Sequence, residues 1–211
     1  KDLMKRSLAG GGLPVGPWVT ITGRQWRDEP DVCLERVTDE LEFPVFVKPA
    51  RGGSSLGIVR AATPDEVPAA MEEALRFDPK IVIEQGFVGA REVEVAVLGS
   101  FDAPPRASVA GEIRMHTPDA FYDYEAKYTP DNQVTLDIPA SLDDDLLHRV
   151  QKIGIRTFLA MDAEGLARVD LFVLPGGEIY VNELNTMPGF TRLSMYPSLW
   201  AESGLSYADL I

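Results

Sequence analysis

Arg168-Val169-Asp170 and Asn182-Glu183-Leu184-Asn185 stand on either side of Pro175-Gly176-Gly177-Glu178, and this stretch decides the fold. Leu166–Val173 has the composition of a strand, the Pro-Gly-Gly-Glu cluster marks a tight turn, and Ile179–Asn185 is the returning strand of a hairpin. A symmetric hairpin centred on Gly176-Gly177 sets Asp170 opposite Glu183 and Arg168 opposite Asn185, so all four share one face. Directly opposed Cβ atoms lie about 4.5–5.5 Å apart. Two carboxylates and an amide oxygen are then within reach of one hard cation, with a guanidinium beside it. The competing reading is a solvated polar face on an edge hairpin. The expected opposite face, Val169, Leu171, Val173, Tyr180 and Leu184, is apolar, and the polar groups converge on one patch, which favours the metal clamp.

The chain has 211 residues, 45% of them hydrophobic, enough for one sizeable domain or two small ones. Its formal net charge of −13 argues against nucleic acid or an anionic membrane as the main partner. The single cysteine, Cys33, rules out an internal disulfide, fits a reducing compartment, and reads as a small buried hydrophobe. His116 and His148 are too isolated for a nitrogen-ligated metal site. No apolar run has the length of a membrane span, no signal peptide opens the chain, and the cytoplasm is the expected location. The sequence begins at Lys1 inside a helical pattern (Leu3, Met4, Leu8), as expected of a piece of a longer protein.

That first helix stops at Gly10-Gly11-Gly12, and an extended stretch, Leu13–Thr22, follows with Pro14 and Pro17 in it. Arg24–Glu40 gives no clear signal. Phe43–Lys48 reads as a buried strand, Pro49–Gly57 as a glycine- and serine-rich loop, and Ile58–Arg60 as the second arm of a hairpin. Thr63-Pro64-Asp65-Glu66 has the form of a capping box opening a helix with Val67, Ala70, Met71, Ala74 and Leu75 on one side. Ile81–Glu84 and Glu92–Leu98 are further strands. Phe121–Asp131 is a long loop, and a second capped helix runs from Ser141 to Ala160 with Leu146, Leu147, Val150, Ile153 and Phe158 inward. The fold class is α+β with mostly antiparallel strands.

Arg51-Gly52-Gly53-Ser54-Ser55-Leu56-Gly57 offers backbone N–H groups free of bulky side chains, as a phosphate cradle requires, although an ordinary hairpin turn has the same composition. It is not a Walker loop, because Lys48 precedes the glycines and ends a strand. Glu84 and Glu92 flank the connector Gln85–Arg91, where carboxylates accept from an amine or a ribose hydroxyl or face solvent. Lys127 in Phe121–Tyr128 is a lid lysine or a surface one. A metal clamp with an arginine, two lysines and a glycine-rich flap are together the parts that phosphoryl transfer needs. The metal is hard, Mg²⁺ or Mn²⁺ rather than zinc.

These residues resemble the ATP-grasp ligases and, within them, the D-alanine:D-alanine ligase family. The resemblance rests on Lys1-Asp2 with Lys5, Val47-Lys48-Pro49, Gly53–Gly57, Ile83-Glu84, Arg91-Glu92, Phe121–Tyr128, Arg168-Val169-Asp170 and Asn182–Gly189, in order along nearly the whole chain. It implies an ATP-grasp fold of two α+β subdomains, residues 1–85 and 86–211, with the nucleotide bound between them. It also implies that Lys1 and Lys48 contact ATP phosphates, that Ser54 and Ser55 belong to the covering flap, that Glu84 meets the adenine beside Gln85 and Phe87, that Glu92 meets the ribose, and that Lys127 reaches the γ-phosphate. Asp170, Glu183 and Asn185 then hold two divalent ions. Arg168 and the Gly189 N–H stabilise the oxyanion, Ser194 and Met195 grip the second substrate's carboxylate, and Tyr128 hydrogen-bonds Ser54. The reaction implied is ATP-dependent joining of two D-alanines for peptidoglycan, in a full-length protein that is a homodimer. Tyr128 favours a dipeptide over a D-lactate product; the alternatives are another ATP-grasp carboxylate–amine ligase or a non-catalytic nucleotide-binding module. The family's N-terminal domain has no counterpart in this sequence.

Overall fold

The computed structural model describes residues 1–115 and 134–211, with side chains for residues 1–114 and 135–211. Its contacts divide into two units.

The first unit holds residues 1–3 and 16–88. Its four-stranded sheet has the order β1 (Trp18–Thr22), β4 (Lys80–Gln85), β2 (Val45–Pro49), β3 (Val59–Ala61), every pair antiparallel. Strand alternation sends Val19, Ile21, Val45, Val47, Ile81 and Ile83 to one face. There they pack with Val37 of α3 (Pro30–Glu40) and Ala70, Met71 and Ala74 of α4 (Val67–Leu75). Phe46, Lys48 and Glu84 consequently occupy the other face.

Two helix starts differ from the sequence reading. The Thr63 side chain makes no cap bond; Glu66 accepts instead from the Ala62 N–H at 2.8 Å, and Pro64–Glu66 is a 3₁₀ turn ahead of α4. A reciprocal capping box does form at Thr22 and Gln25, opening α2 (Gly23–Asp28) in the segment that gave no clear signal.

The second unit holds residues 4–15, 89–115 and 134–211. Its five-stranded sheet runs β7 (Val134–Asp137), β6 (Ala103–Met115), β5 (Arg91–Ser100), β8 (Gly165–Val173), β9 (Ile179–Asn185). Val93, Val95, Val97, Val169, Leu171 and Val173 form one core with Leu8 and with Val150 and Phe158 of α5 (Asp144–Ala160). The N-cap of α5 is Asp143, two residues later than expected, accepting from Leu146 N at 2.8 Å, while Ser141 gives its carbonyl to Arg91. Against the other side of β6 lies α6 (Met195–Glu202), so close that a Cβ on Gly111 would sit 2.8 Å from the Met195 sulfur. The chain closes with α7 (Tyr207–Leu210).

The β8–β9 register explains the polar face and corrects part of its expected apolar counterpart. The turn closes with Gly177 N on Leu174 O and Leu174 N on Glu178 O, and Gly177 takes φ +85°, which favours glycine. Near the turn the pairs are Val173↔Ile179, Phe172↔Tyr180 and Leu171↔Val181, one residue off the symmetric hairpin. A bulge at Asn182 absorbs that residue, after which Asp170↔Glu183 and Arg168↔Asn185 pair as expected. Ile179 and Val181 therefore face the core, whereas Tyr180 shares the other face with Phe172. Without the bulge, Leu184 would not point the same way as Val181, and both pack on the core. Among the described residues no helix is long and apolar enough to cross a membrane.

Candidate active site

In the first unit, Phe46 pairs with Glu84 and Lys48 with Val82, which makes Lys48 and Glu84 diagonal neighbours on one sheet face. The Lys48 Nζ donates to Glu84 Oε2 at 2.8 Å, with side-chain exposures of only 10% and 7%. It also lies 5.7 Å from the Phe46 ring centroid. A buried ion pair of this kind costs desolvation and is weak evidence for stability, so its presence points to use.

The glycine-rich loop leaves β2 just beyond this pair. Ser54, Ser55 and Gly57 all take positive φ, +49°, +57° and +72°. Leu56 N donates to Gly53 O at 3.0 Å and Ile58 N to Ser55 O at 3.2 Å, which curls the loop into successive turns. Gly57 is required twice over, since a Cβ there would also come within 2.5 Å of Phe77. The loop base is anchored by Asp78. It accepts from Arg51 N and Nε at 2.9 Å each and from Arg51 Nη2 at 2.7 Å, and the Arg51 guanidinium holds its carboxyl at about 2. The Lys1 ammonium donates to Gly52 O on the same loop. Gln85 is turned away from Lys48: its Oε1 accepts from Glu42 N at 3.1 Å. The Phe87 ring lies against Gly16, where a Cβ would be 2.9 Å away.

In the second unit, β5 pairs with β8 so that Glu94 is opposite Asp170 and Glu92 opposite Phe172. Glu92, Glu94, Arg168, Asp170, Glu183 and Asn185 thus share one sheet face. Arg168 is gripped by Asp170 through two bonds, Nε–Oδ1 2.6 Å and Nη2–Oδ2 2.8 Å, and its Nε is 3.0 Å from Glu94 Oε2. Burial disfavours the Arg168 charge, but Asp170 and Glu94, with Glu183 behind them, outweigh it and hold the guanidinium above its ordinary range. Asn185 Oδ1 accepts from Met187 N at 3.0 Å. Gly189 sits against Ser194, whose hydroxyl accepts from Thr191 N and bonds Thr191 Oγ1. Met195 is buried and begins α6, where backbone N–H groups have no partner within the helix.

Glu94 was not singled out among the expected site residues, yet Arg91-Glu92-Val93-Glu94-Val95 has the alternation that puts it beside Glu92. The pairing of Lys48 with Glu84 needed the β2–β4 register, which no local pattern contains. Lys127 and Tyr128 lie outside the described residues. No group of three histidine, cysteine or carboxylate side chains is assembled to hold a metal among the described residues. The Asp170, Glu183 and Asn185 set does fit a hard divalent ion. Its donors are all oxygens, the register opposes the two carboxylates, and Asp170 already collects a cation with both oxygens.

The two α+β units and the carboxylate-lined sheet face define the ATP-grasp fold. The D-ala D-ala ligase C-terminus family matches residues 8–211. The chain belongs to this family. It is 49% identical over 213 residues to a D-alanine–D-alanine ligase of Pseudarthrobacter chlorophenolicus, which spans all of this chain and 55% of that protein. It is 49% identical over 215 residues to one of Kineococcus radiotolerans, covering all of this chain and 57% of the relative. Among solved structures, the D-alanine-D-alanine ligase of Coxiella burnetii superposes with a TM-score of 0.82 at 35% identity, over the whole chain and 53% of that one. VanG D-Ala:D-Ser ligase of Enterococcus faecalis gives 0.86 at 32%, over the whole chain and 58% of that one. The chain therefore spans somewhat more than half the length of the relatives it matches.

Proposed function

We propose that this chain is the nucleotide- and metal-handling portion of an ATP-dependent ligase that joins two D-alanines into D-alanyl-D-alanine for peptidoglycan. The observation that carries this is the sheet face on which Arg168 and Asp170 stand opposite Asn185 and Glu183, in a chain of this family. A carboxylate is a poor electrophile until one oxygen becomes a leaving group. The first D-alanine's carboxylate oxygen attacks the γ-phosphorus of ATP, and ADP departs, leaving an acyl phosphate. The second D-alanine, having lost a proton from its ammonium, attacks the carbonyl carbon and expels inorganic phosphate.

Each residue has a task in that sequence. Lys1, Lys48 and the N–H groups around Ser54 and Ser55 take the phosphates; the Lys48 ammonium has three hydrogens, of which Glu84 takes one. Glu84 meets the adenine, with Gln85 and Phe87 alongside, and Glu92 meets the ribose. Asp170, Glu183 and Asn185 hold divalent ions, Mg²⁺ or Mn²⁺, which when bound neutralise charge on the phosphate oxygens. Arg168 and the Gly189 N–H face the oxyanion formed in the second attack. Ser194 and the Met195 N–H bind the incoming carboxylate, Lys127 reaches the γ-phosphate, and Tyr128 bonds Ser54. The full-length protein is taken to be a cytoplasmic homodimer with D-alanine and ATP as its small-molecule partners.

Phosphate release from ATP by the full-length protein tests this reading. Release that requires D-alanine and yields the dipeptide supports it, whereas ATP hydrolysis indifferent to D-alanine, or nucleotide binding with no turnover, overturns it.

A further inference from the structure

Glu94 has no task in the reaction above, yet it is 5% exposed and stands directly across the β5–β8 ladder from Asp170. Two opposed carboxylates on one face repel. The guanidinium of Arg168 reconciles them: both Asp170 oxygens accept from it, and Glu94 Oε2 lies 3.0 Å from its Nε. Nε carries one hydrogen, which Asp170 accepts, so Glu94 holds the guanidinium by charge.

In the ligase reading, on which this inference rests, Asp170 is a metal ligand. It cannot give both oxygens to Arg168 and also ligate a divalent ion that repels the guanidinium. Arg168 is only 18% exposed, so leaving Asp170 for water is closed to it. We propose that Glu94 is a positioning residue for Arg168: its carboxylate is the second seat of the guanidinium, holding it over the sheet face when Asp170 turns to the cation. Arg168 then remains where the oxyanion of the second step develops. Glu94 itself touches neither the metal nor the substrates.

The test uses the full-length protein labelled with ¹⁵N in arginine, with the Arg168 Nε–H signal identified by its loss in Arg168→Lys. In the parent, Mg²⁺ with ADP shifts this signal while its exchange with water stays slow. In Glu94→Gln, exchange without metal is nearly unchanged, because Asp170 still holds the guanidinium, but with Mg²⁺ and ADP it becomes faster by about tenfold or more. A purely structural role would speed exchange equally in both states, and that result, or unchanged exchange in the metal-bound variant, overturns the assignment of Glu94. If the parent binds no Mg²⁺–ADP, the ligase reading falls and this assignment with it. Should Glu94→Gln fail to fold, Glu94→Asp keeps the charge, withdraws it by one methylene and is read the same way.

Discussion

Asp170 and Glu183 have the same task at the proposed metal site but different neighbours without metal, so neutralising each has a different metal-free signature. In Asp170→Asn one side-chain oxygen is still available to the Arg168 Nε. The other becomes an NH₂ facing the Nη2 that now donates at 2.8 Å. A hydrogen bond to a charged group, worth about 1.5–3 kcal/mol, turns into a donor–donor contact, while relief of the Glu94–Asp170 repulsion offsets part of the loss. The net cost is about 2 kcal/mol, which lowers the melting midpoint by about 4–8 °C for a 211-residue chain and by less in the longer full-length protein. Glu183→Gln leaves both Arg168 bonds in place. It removes an attraction to Arg168 and a repulsion with Asp170, so metal-free stability changes by less than about 0.5 kcal/mol. Thermal unfolding of the full-length protein and both variants, with EDTA and then with Mg²⁺ and ADP, separates the cases. The parent gains stability from the ligands and both variants gain less, since each has lost a metal carboxylate. If Asp170→Asn is as stable as Glu183→Gln in EDTA, the Arg168–Asp170 grip does not exist as described.

The Asp78 carboxyl is held at about 2, below its usual value near 3.9. A lowered folded-state value stabilises above the unfolded-state value and is lost as pH falls through the folded one, so Asp78→Asn should flatten the acid-side decline in stability between about pH 4 and pH 2, read by urea unfolding across that range. Gly57→Ala puts a Cβ into Phe77 at φ +72° and should raise the KM for ATP several-fold, at a cost of about 1–3 kcal/mol in stability; steady-state kinetics at saturating D-alanine checks it. Lys127→Ala should lower kcat far more than it weakens ADP binding, compared by turnover and calorimetry. Tyr128→Phe removes the hydroxyl proposed to bond Ser54, a bond worth about 1 kcal/mol, and should give several-fold more D-alanyl-D-lactate, most clearly at mildly acidic pH; an unchanged product ratio from about pH 6 to pH 9 counts against it.

The β8–β9 pairing at Asp170 and Glu183 was legible because a turn cluster between two alternating strands is a local signal. The pairing nevertheless depends on two offsets that cancel, a turn one residue tighter and a bulge at Asn182, and neither has a signature of its own. That is why Tyr180 was expected on the wrong face. β6 went unread because Pro104, Pro105 and Arg106 interrupt its alternation, and its breaks of register against β5 are set by that partner strand, where Ser108 Oγ takes the Ala96 N–H. α2 was announced by Thr22 and Gln25, a box hidden by the glycine between them and by the clearer but unused pattern at Thr63 and Glu66. Of the site, residue types and spacing pointed to the carboxylates and lysines. The Lys48–Glu84 pair and the Glu94–Arg168 contact depend on which strands lie side by side, and antiparallel order between distant segments is a tertiary property.

Activation of a carboxylate by ATP is the central claim, and the fate of its oxygen reports on it directly. With D-alanine carrying ¹⁸O in its carboxylate, the full-length protein should place one labelled oxygen in each inorganic phosphate released, because phosphate leaves the acyl phosphate with the bridging oxygen that came from the substrate. Phosphate formed without label, alongside genuine turnover of ATP, would contradict it.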